Sequence, residues 1–216
     1  MAPPCQFESP SVRQQTMNGC STHGGNMKYK LVHSDTVVTS RGATLTRIEA
    51  LVDIPLHWVV AGQLGGYIQS VDNLSQHGSA WVDDNAWVAE QARVYDDALV
   101  SNTAYVYDSA EIYERAIVCD DAQVAGVARV HCTAMVSASS LVTGRANVSG
   151  NAHITDNSVV SGDAYVFENA VVGGNTTVAG NTYVFGHRQL TGNHSYTGTE
   201  IVKDLPAVTC PMQAEV

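Results

Sequence analysis

Charged residues are scarce in this chain of 216: they make up 15% of it, against about a quarter in an ordinary globular domain. Basic residues are the scarcest. Eleven Lys and Arg face 21 Asp and Glu, for a formal net charge of −10, which argues against direct binding of nucleic-acid phosphates. No apolar run approaches the roughly 18 residues of a membrane span, so no membrane association is expected. The first twenty residues show no basic start followed by an apolar stretch and do not read as a secretion signal. The five cysteines (Cys5, Cys20, Cys119, Cys132, Cys210) are odd in number and lack CxxC spacing. They argue against a disulfide framework or a zinc ribbon and fit a reducing cytoplasm, the expected location.

What the chain has instead is a period of six. From Val82 through Val88, Val94, Val100, Val106 and Ile112 to Leu190, every sixth residue is aliphatic, without insertion. Two positions earlier stands a small residue, alanine at most steps from Ala80 to Ala170, with Ser140, Ser158, Thr176 and Thr182 as substitutes. A short strict period marks a solenoid. In the strand Ala80-Trp81-Val82-Asp83, alternation turns Ala80 and Val82 inward and Trp81 and Asp83 outward. The next two positions must bend the chain. Further on they hold Gly150-Asn151, Asp156-Asn157, Gly162-Asp163 and Gly174-Asn175, residues that tolerate the left-handed backbone of a sharp corner. Short strands and two-residue corners repeated on one side make a coil whose turns pair in parallel. Three strands per turn gives 18 residues around a narrow triangular interior.

Outside the repeats the composition changes. Residues 1–26, rich in Pro, Gly, Ser, Gln and Asn, read as a flexible tail upstream of a natural start at Met27. Residues 27–79 contain strand-like stretches at 28–31 and 44–52 and an apolar run at 58–61. They read as a small β cap, since an uncapped solenoid exposes unpaired strand edges. Residues 80–205 hold the repeats and 206–216 form a C-terminal tail. Arg188, His194 and Glu200 replace the small residue near the end, and Tyr196 the aliphatic one. Fraying is expected there, with Leu190 and Tyr196 plugging the open end.

An aliphatic residue followed four later by Ala, Ser or Thr, as in Val82 and Ala86, resembles the hexapeptide-repeat, left-handed parallel β-helix family over more than half of the chain. The resemblance implies left-handed crossovers, against the usual handedness of parallel connections. The expected fold is therefore all-β: a left-handed parallel β-helix, a single-stranded triangular solenoid of about seven coils, with a small N-terminal β cap. The segment Gly62-Gln63-Leu64-Gly65-Gly66-Tyr67-Ile68, with Asn73-Leu74-Ser75, resembles the start of a bacterial and prophage branch whose members are usually labelled hypothetical proteins or acyltransferases.

Counting by 18 reads the outside of the prism. The first face turns Trp81, Leu99, Ile117, Met135, His153 and Val171 outward. The third face, before the corner leading back to the first, carries Tyr95, Tyr113, His131, Ser149, Phe167 and Phe185, so both ladders flank one vertical edge. Nine of these (Trp81, Leu99, Ile117, Met135, Val171, Tyr95, Tyr113, Phe167, Phe185) form the expected oligomer interface. They would expose on the order of 800 Å², more than a monomer's largest patch. Hiding that area favours association by roughly 20 kcal/mol before costs. The family resemblance implies a parallel homotrimer. The third-face centre carries Arg93, Glu111, Arg129 and Asn147 and reads as charged.

Signs of catalysis are weak. Acyltransferases of the resembling fold extrude a loop and place a histidine base between subunits; here the register from 80 to 202 admits no loop. His131, His153 and His187 lie near the interface edge and are the candidate bases, but on separate coils, so no catalytic residue is assigned. Zinc enzymes of this architecture use a short-spaced histidine pair, whereas His187 and His194 are seven apart on different faces. No three-ligand metal set is seen, Cys119 and Cys132 read as incidental, and no cofactor is expected. Ten acids crowd residues 80–121: Asp83, Asp84, Glu90, Asp96, Asp97, Asp108, Glu111, Glu114, Asp120 and Asp121. They read as a solubilising, edge-protecting surface or, more sharply, as a negative face that engages a basic groove as a nucleic-acid mimic does.

Three functions remain in view. The first is a non-enzymatic trimeric scaffold or binding protein, phage or prophage encoded, acting on a host protein through its outer faces. The second is an acyl-CoA-dependent transferase with active sites between subunits. The third is a protein that sequesters a small metabolite or signalling nucleotide in inter-subunit clefts.

Overall fold

A computed structural model describes residues 27–203; the expected tails at 1–26 and 206–216 lie outside the described residues. The described residues are all β apart from two single-turn 3-10 helices. From β4 (Trp81–Val82), β5 (Trp87–Val88) and β6 (Arg93–Val94) onward, strands are mostly two residues long and fall into three parallel sheets. Pairing steps by 18 throughout, from Trp81↔Leu99 to Val184↔Val202, with no insertion between them. The result is the parallel β-helix expected from the period of six.

Local chemistry explains the corners. The chain turns at residues held in the left-handed region: Asp84, Asp96, Asp108 and Asp120 have φ of 52°, 57°, 57° and 59°. The corners from Asp84 to Glu168 are closed by a backbone bond such as Ala86 N–H to Asp83 O, 3.0 Å. The small inward residue must fit beneath that turn, and from Ala80 to Ala170 the alanines there are buried beside the aliphatic column. Burying each valine contributes roughly 1.5–3 kcal/mol. At three of the four places where a hydroxyl replaces the methyl, it donates to the corner carbonyl three residues back, Thr176 being the exception. Ser140, Ser158 and Thr182 reach the carbonyls of Ser137, Thr155 and Ala179 at 2.7, 2.6 and 2.7 Å.

The solenoid starts earlier than residue 80. β1 (Tyr29–Val38) and β2 (Thr44–Ala50) form an antiparallel hairpin, and β2 pairs antiparallel with β3 (Leu64–Ile68). β3 then pairs parallel with β5, Tyr67↔Trp87 and Ile68↔Val88, and Leu74 bridges Val94. The second face thus has eight solenoid strands and the others seven each, against about seven coils expected. These first pairings are 20 residues apart rather than 18, and the two extra residues bulge between Leu74 and Gly78. The bulge grips the cap: Gln76 Oε1 accepts the Lys28 N–H at 2.8 Å.

The cap changes the fate of Trp81, which counting by 18 turns outward. β4 is the edge strand of its sheet, and cap residues fill the space above it. Trp81 is fully buried with Tyr29, Ile48, Ile54 and Val59, and its indole N–H donates to Asp83 Oδ1 at 3.2 Å. It therefore leaves the expected interface set. Gly65 makes the close approach: a Cβ there would lie 2.6 Å from Trp81 Cζ2 and 2.5 Å from Val82 O.

At the other end the expected fraying is absent from the pairing. Ser195–Gly198 stays in register with Thr177–Gly180, and Ile201 with Tyr183. Leu190 is buried, and Tyr196 and Val202 pack against the core. His194 and Glu200 are exposed and Arg188 half-buried, so charge enters the inward slots only where the prism opens. Among the described residues no helix is long and apolar enough to cross a membrane.

Candidate functional site

The edge between the first and third faces assembles by stacking. Leu99, Ile117, Met135, His153 and Val171 occupy successive rungs of the first face. On the third face the rings lie parallel: Tyr95 on Tyr113 at 5.0 Å and 1°, Tyr113 on His131 at 4.8 Å and 2°, and Phe167 on Phe185 at 5.0 Å and 12°. Because each ring covers the next, all of these residues are half-buried. With Trp81 also removed, the area they expose falls below the expected 800 Å².

Two neighbouring features extend the apolar surface. Tyr165 stacks on Tyr183 at 5.0 Å at the third-face centre, and Ile201 follows at 67% exposure. The face read as charged from Arg93 to Asn147 is therefore aromatic in its last turns, beside a shallow concavity of about 760 Å³ lined by Arg129, Arg145, Asn147, Tyr165 and Tyr183. At the other end the cap loop after Ile54 carries Trp58, left-handed at φ 59° and 90% exposed. His57 Nε2 donates to Asp97 O at 3.1 Å, which sets this loop at the top of the same edge. In the sequence Trp58 opens the apolar run at 58–61, and the loop geometry turns it outward.

Six of the ten acids expected to coat the surface accept a backbone N–H, and Glu111 pairs with Arg129. A left-handed corner turns one amide out of the ladder, and the side chain one turn earlier accepts it. Cys132 N–H donates to Glu114 Oε2 at 2.7 Å and Glu114 N–H to Asp96 Oδ2 at 3.3 Å. At other corners Asp108 N–H reaches Glu90, Gly126 N–H reaches Asp108, and Ala138 N–H reaches Asp120, at 3.1, 2.9 and 3.0 Å. Asp97 accepts the Ser79 N–H, Asp121 the Thr103 hydroxyl and Asp83 the Trp81 indole, while Asp84 stays exposed at its corner. Arg41 of the cap pairs with both Glu90 and Asp108 and lies 4.4 Å over the Tyr107 ring, so part of the negative face is already neutralised.

The three candidate histidines are not brought together. His153 Nε2 is 3.2 Å from Ser137 Oγ and His187 Nε2 is 3.4 Å from Asn169 Nδ2, two rungs apart on different faces. His131 is different. Its Nδ1 lies 3.4 Å from Cys132 Sγ and 3.9 Å from Glu114 Oε2, and its Nε2 is 3.2 Å from Asn147 Oδ1. Donor atoms of Glu114, His131 and Cys132 all lie within 4.8 Å of one another, so the three-ligand set not seen in the sequence is present. Burial pulls the His131 pKa down, against the opposing pull of Glu114, and favours the neutral, ligating ring. Cys119 stands apart beside Asp120, its thiol pushed up to about 11 by burial. Counting could have found the cluster, since Glu114 and Cys132 are 18 apart in one corner column and His131 precedes Cys132. No protein-family model matches the chain, and neither does any curated protein.

Proposed function

We propose that the protein is a non-enzymatic oligomeric scaffold of the hexapeptide-repeat, left-handed β-helix kind, which associates with copies of itself along this edge and presents its remaining faces to a protein partner. The observation that carries the reading is the ladder of apolar and aromatic side chains, interrupted by Ser149 and His153, beneath an outward Trp58, on a coil whose register leaves no extruded loop from Trp81 to Val202. Regular rungs give a long, rigid contact surface, and a projecting tryptophan is the residue type most often dominant in protein interfaces. The family resemblance favours a parallel trimer, a cytoplasmic setting in bacteria and a host protein bound by a phage or prophage product. Sedimentation of the full chain tests the self-association: a mass three times 23.0 kDa is expected, and Trp58→Ala should weaken association at least tenfold without changing the circular dichroism. A wild-type mass of one chain at micromolar concentration overturns the reading.

A further inference from the structure

We propose that Glu114, His131 and Cys132 form a binding site for one divalent transition-metal ion of the zinc class per chain. One thiol, one imidazole and one carboxylate meet at a single corner, with donor atoms within 4.8 Å of each other. Around a tetrahedral ion with bonds of about 2.0–2.3 Å, ligand atoms stand roughly 3.3–3.6 Å apart. The observed 3.4 Å from Sγ to Nδ1 already matches and the 3.9 Å from Nδ1 to Oε2 is about half an ångström long, while the sulfur and the carboxylate, within 4.8 Å, close on the ion by rotation of the exposed Glu114 side chain.

The neighbours set the ring for this task. A neutral imidazole that donates from Nε2 to Asn147 Oδ1 keeps its lone pair on Nδ1, directed at the thiol and the carboxylate. Stacking on Tyr113 fixes the ring plane. In the metal-free chain the Cys132 thiol donates to Nδ1 and the Cys132 N–H to the Glu114 carboxylate, so the three groups are already gathered at one point, and an ion would take the place of the thiol proton between them. The mixture of soft, borderline and hard donors suits zinc or cobalt(II) rather than calcium or magnesium. Binding replaces the thiol proton, which leaves to solvent, by the metal–sulfur bond. Cys132 is buried at the base of the site while Glu114 is exposed, so the ion enters from solvent and its fourth position faces water. Three protein ligands with one open position is the arrangement of reactive rather than purely structural zinc.

The test is a cobalt(II) titration of the chelator-treated, reduced full chain. One equivalent should produce a thiolate-to-cobalt charge-transfer band in the near ultraviolet and strong tetrahedral bands in the visible. Cys132→Ser should abolish the charge-transfer band; His131→Gln and Glu114→Gln should weaken binding at least tenfold; Cys119→Ser should change neither. Ala138 holds the same left-handed corner position one face away, so a small side chain at 132 is tolerated and a lost band reports ligation rather than unfolding. As a second readout, zinc should raise the melting temperature of the wild type and leave that of Cys132→Ser unchanged. The measurements repeated on a monomeric variant separate this site from the self-association proposed above. Absence of a charge-transfer band at stoichiometric cobalt overturns the site, and so does a band that persists in Cys132→Ser.

Discussion

The carboxylate of Glu114 accepts the backbone N–H of Cys132 at 2.7 Å, one full turn of the solenoid further on. The same bond recurs at Glu90, Asp108, Asp120, Asp156 and Glu168, each toward the residue 18 later. A left-handed corner leaves an amide outside the ladder, and an acid is the side chain that satisfies it most strongly. Acids are thus part of how the coils stack.

Removing one such acceptor should therefore weaken the stack. Asp156 Oδ2 accepts the Gly174 N–H at 2.7 Å, and Asp156→Ala should cost about 1 kcal/mol in urea unfolding. Asp156→Asn keeps an acceptor and should lose less than half as much. Equal losses in the two variants would mean that charge alone, and not the bond, is at work.

The aliphatic column is intolerant of charge. Val124 is fully buried, and Val124→Asp places an unpaired carboxyl in a dry interior at a cost of several kcal/mol. Loss of the β signature in circular dichroism is expected, and a folded, cooperative Val124→Asp would contradict the packing described.

Gly65 lets the cap reach Trp81. A Cβ there meets Val82 O at 2.5 Å and Trp81 Cζ2 at 2.6 Å, with backbone on one side and a locked ring on the other. Gly65→Ala should destabilise by about 2 kcal/mol and expose the indole to a fluorescence quencher. A wild-type quenching constant would show that Trp81 is seated by something else.

Lys28 gives the cap a pH dependence. Its ammonium donates to Ala80 O at 2.7 Å, and burial, partly offset by Asp97, lowers its pKa from 10.5 to about 8. Between these values the unfolded chain holds a proton that the folded chain has released, so stability rises with pH. From pH 7.5 to 9.5 the wild type should gain about 2 kcal/mol relative to Lys28→Met, since Cys119, raised to about 11 by burial, opposes the gain equally in both. Tyr29, raised to about 12 by burial, opposes this only once unfolded tyrosine ionises, near pH 10. Identical slopes in the two proteins would remove Lys28 as the cause.

Sequence periodicity made the stack legible because an 18-residue turn converts counting into neighbourhood: Tyr95, Tyr113 and His131 stack as counted. Counting failed where another element intervened. Trp81 is outward by alternation but covered by the cap, and the two-residue bulge after Leu74 hid the first turn from the period. Trp58 owes its exposure to a left-handed loop that no apolar pattern signals. The Glu114, His131 and Cys132 cluster escapes because the acids, histidines and cysteines are read as separate sets, while these three side chains meet between a corner column and the third-face ladder.

Ile117→Asp, measured by sedimentation equilibrium beside circular dichroism, tests the account most directly. Ile117 sits mid-ladder between Leu99 and Met135, outward and half-buried. The variant should keep the wild-type β spectrum and sediment as a single 23.0 kDa chain, and the wild type should sediment at three times that mass. An unchanged oligomer in Ile117→Asp would contradict the edge as the surface through which this protein works.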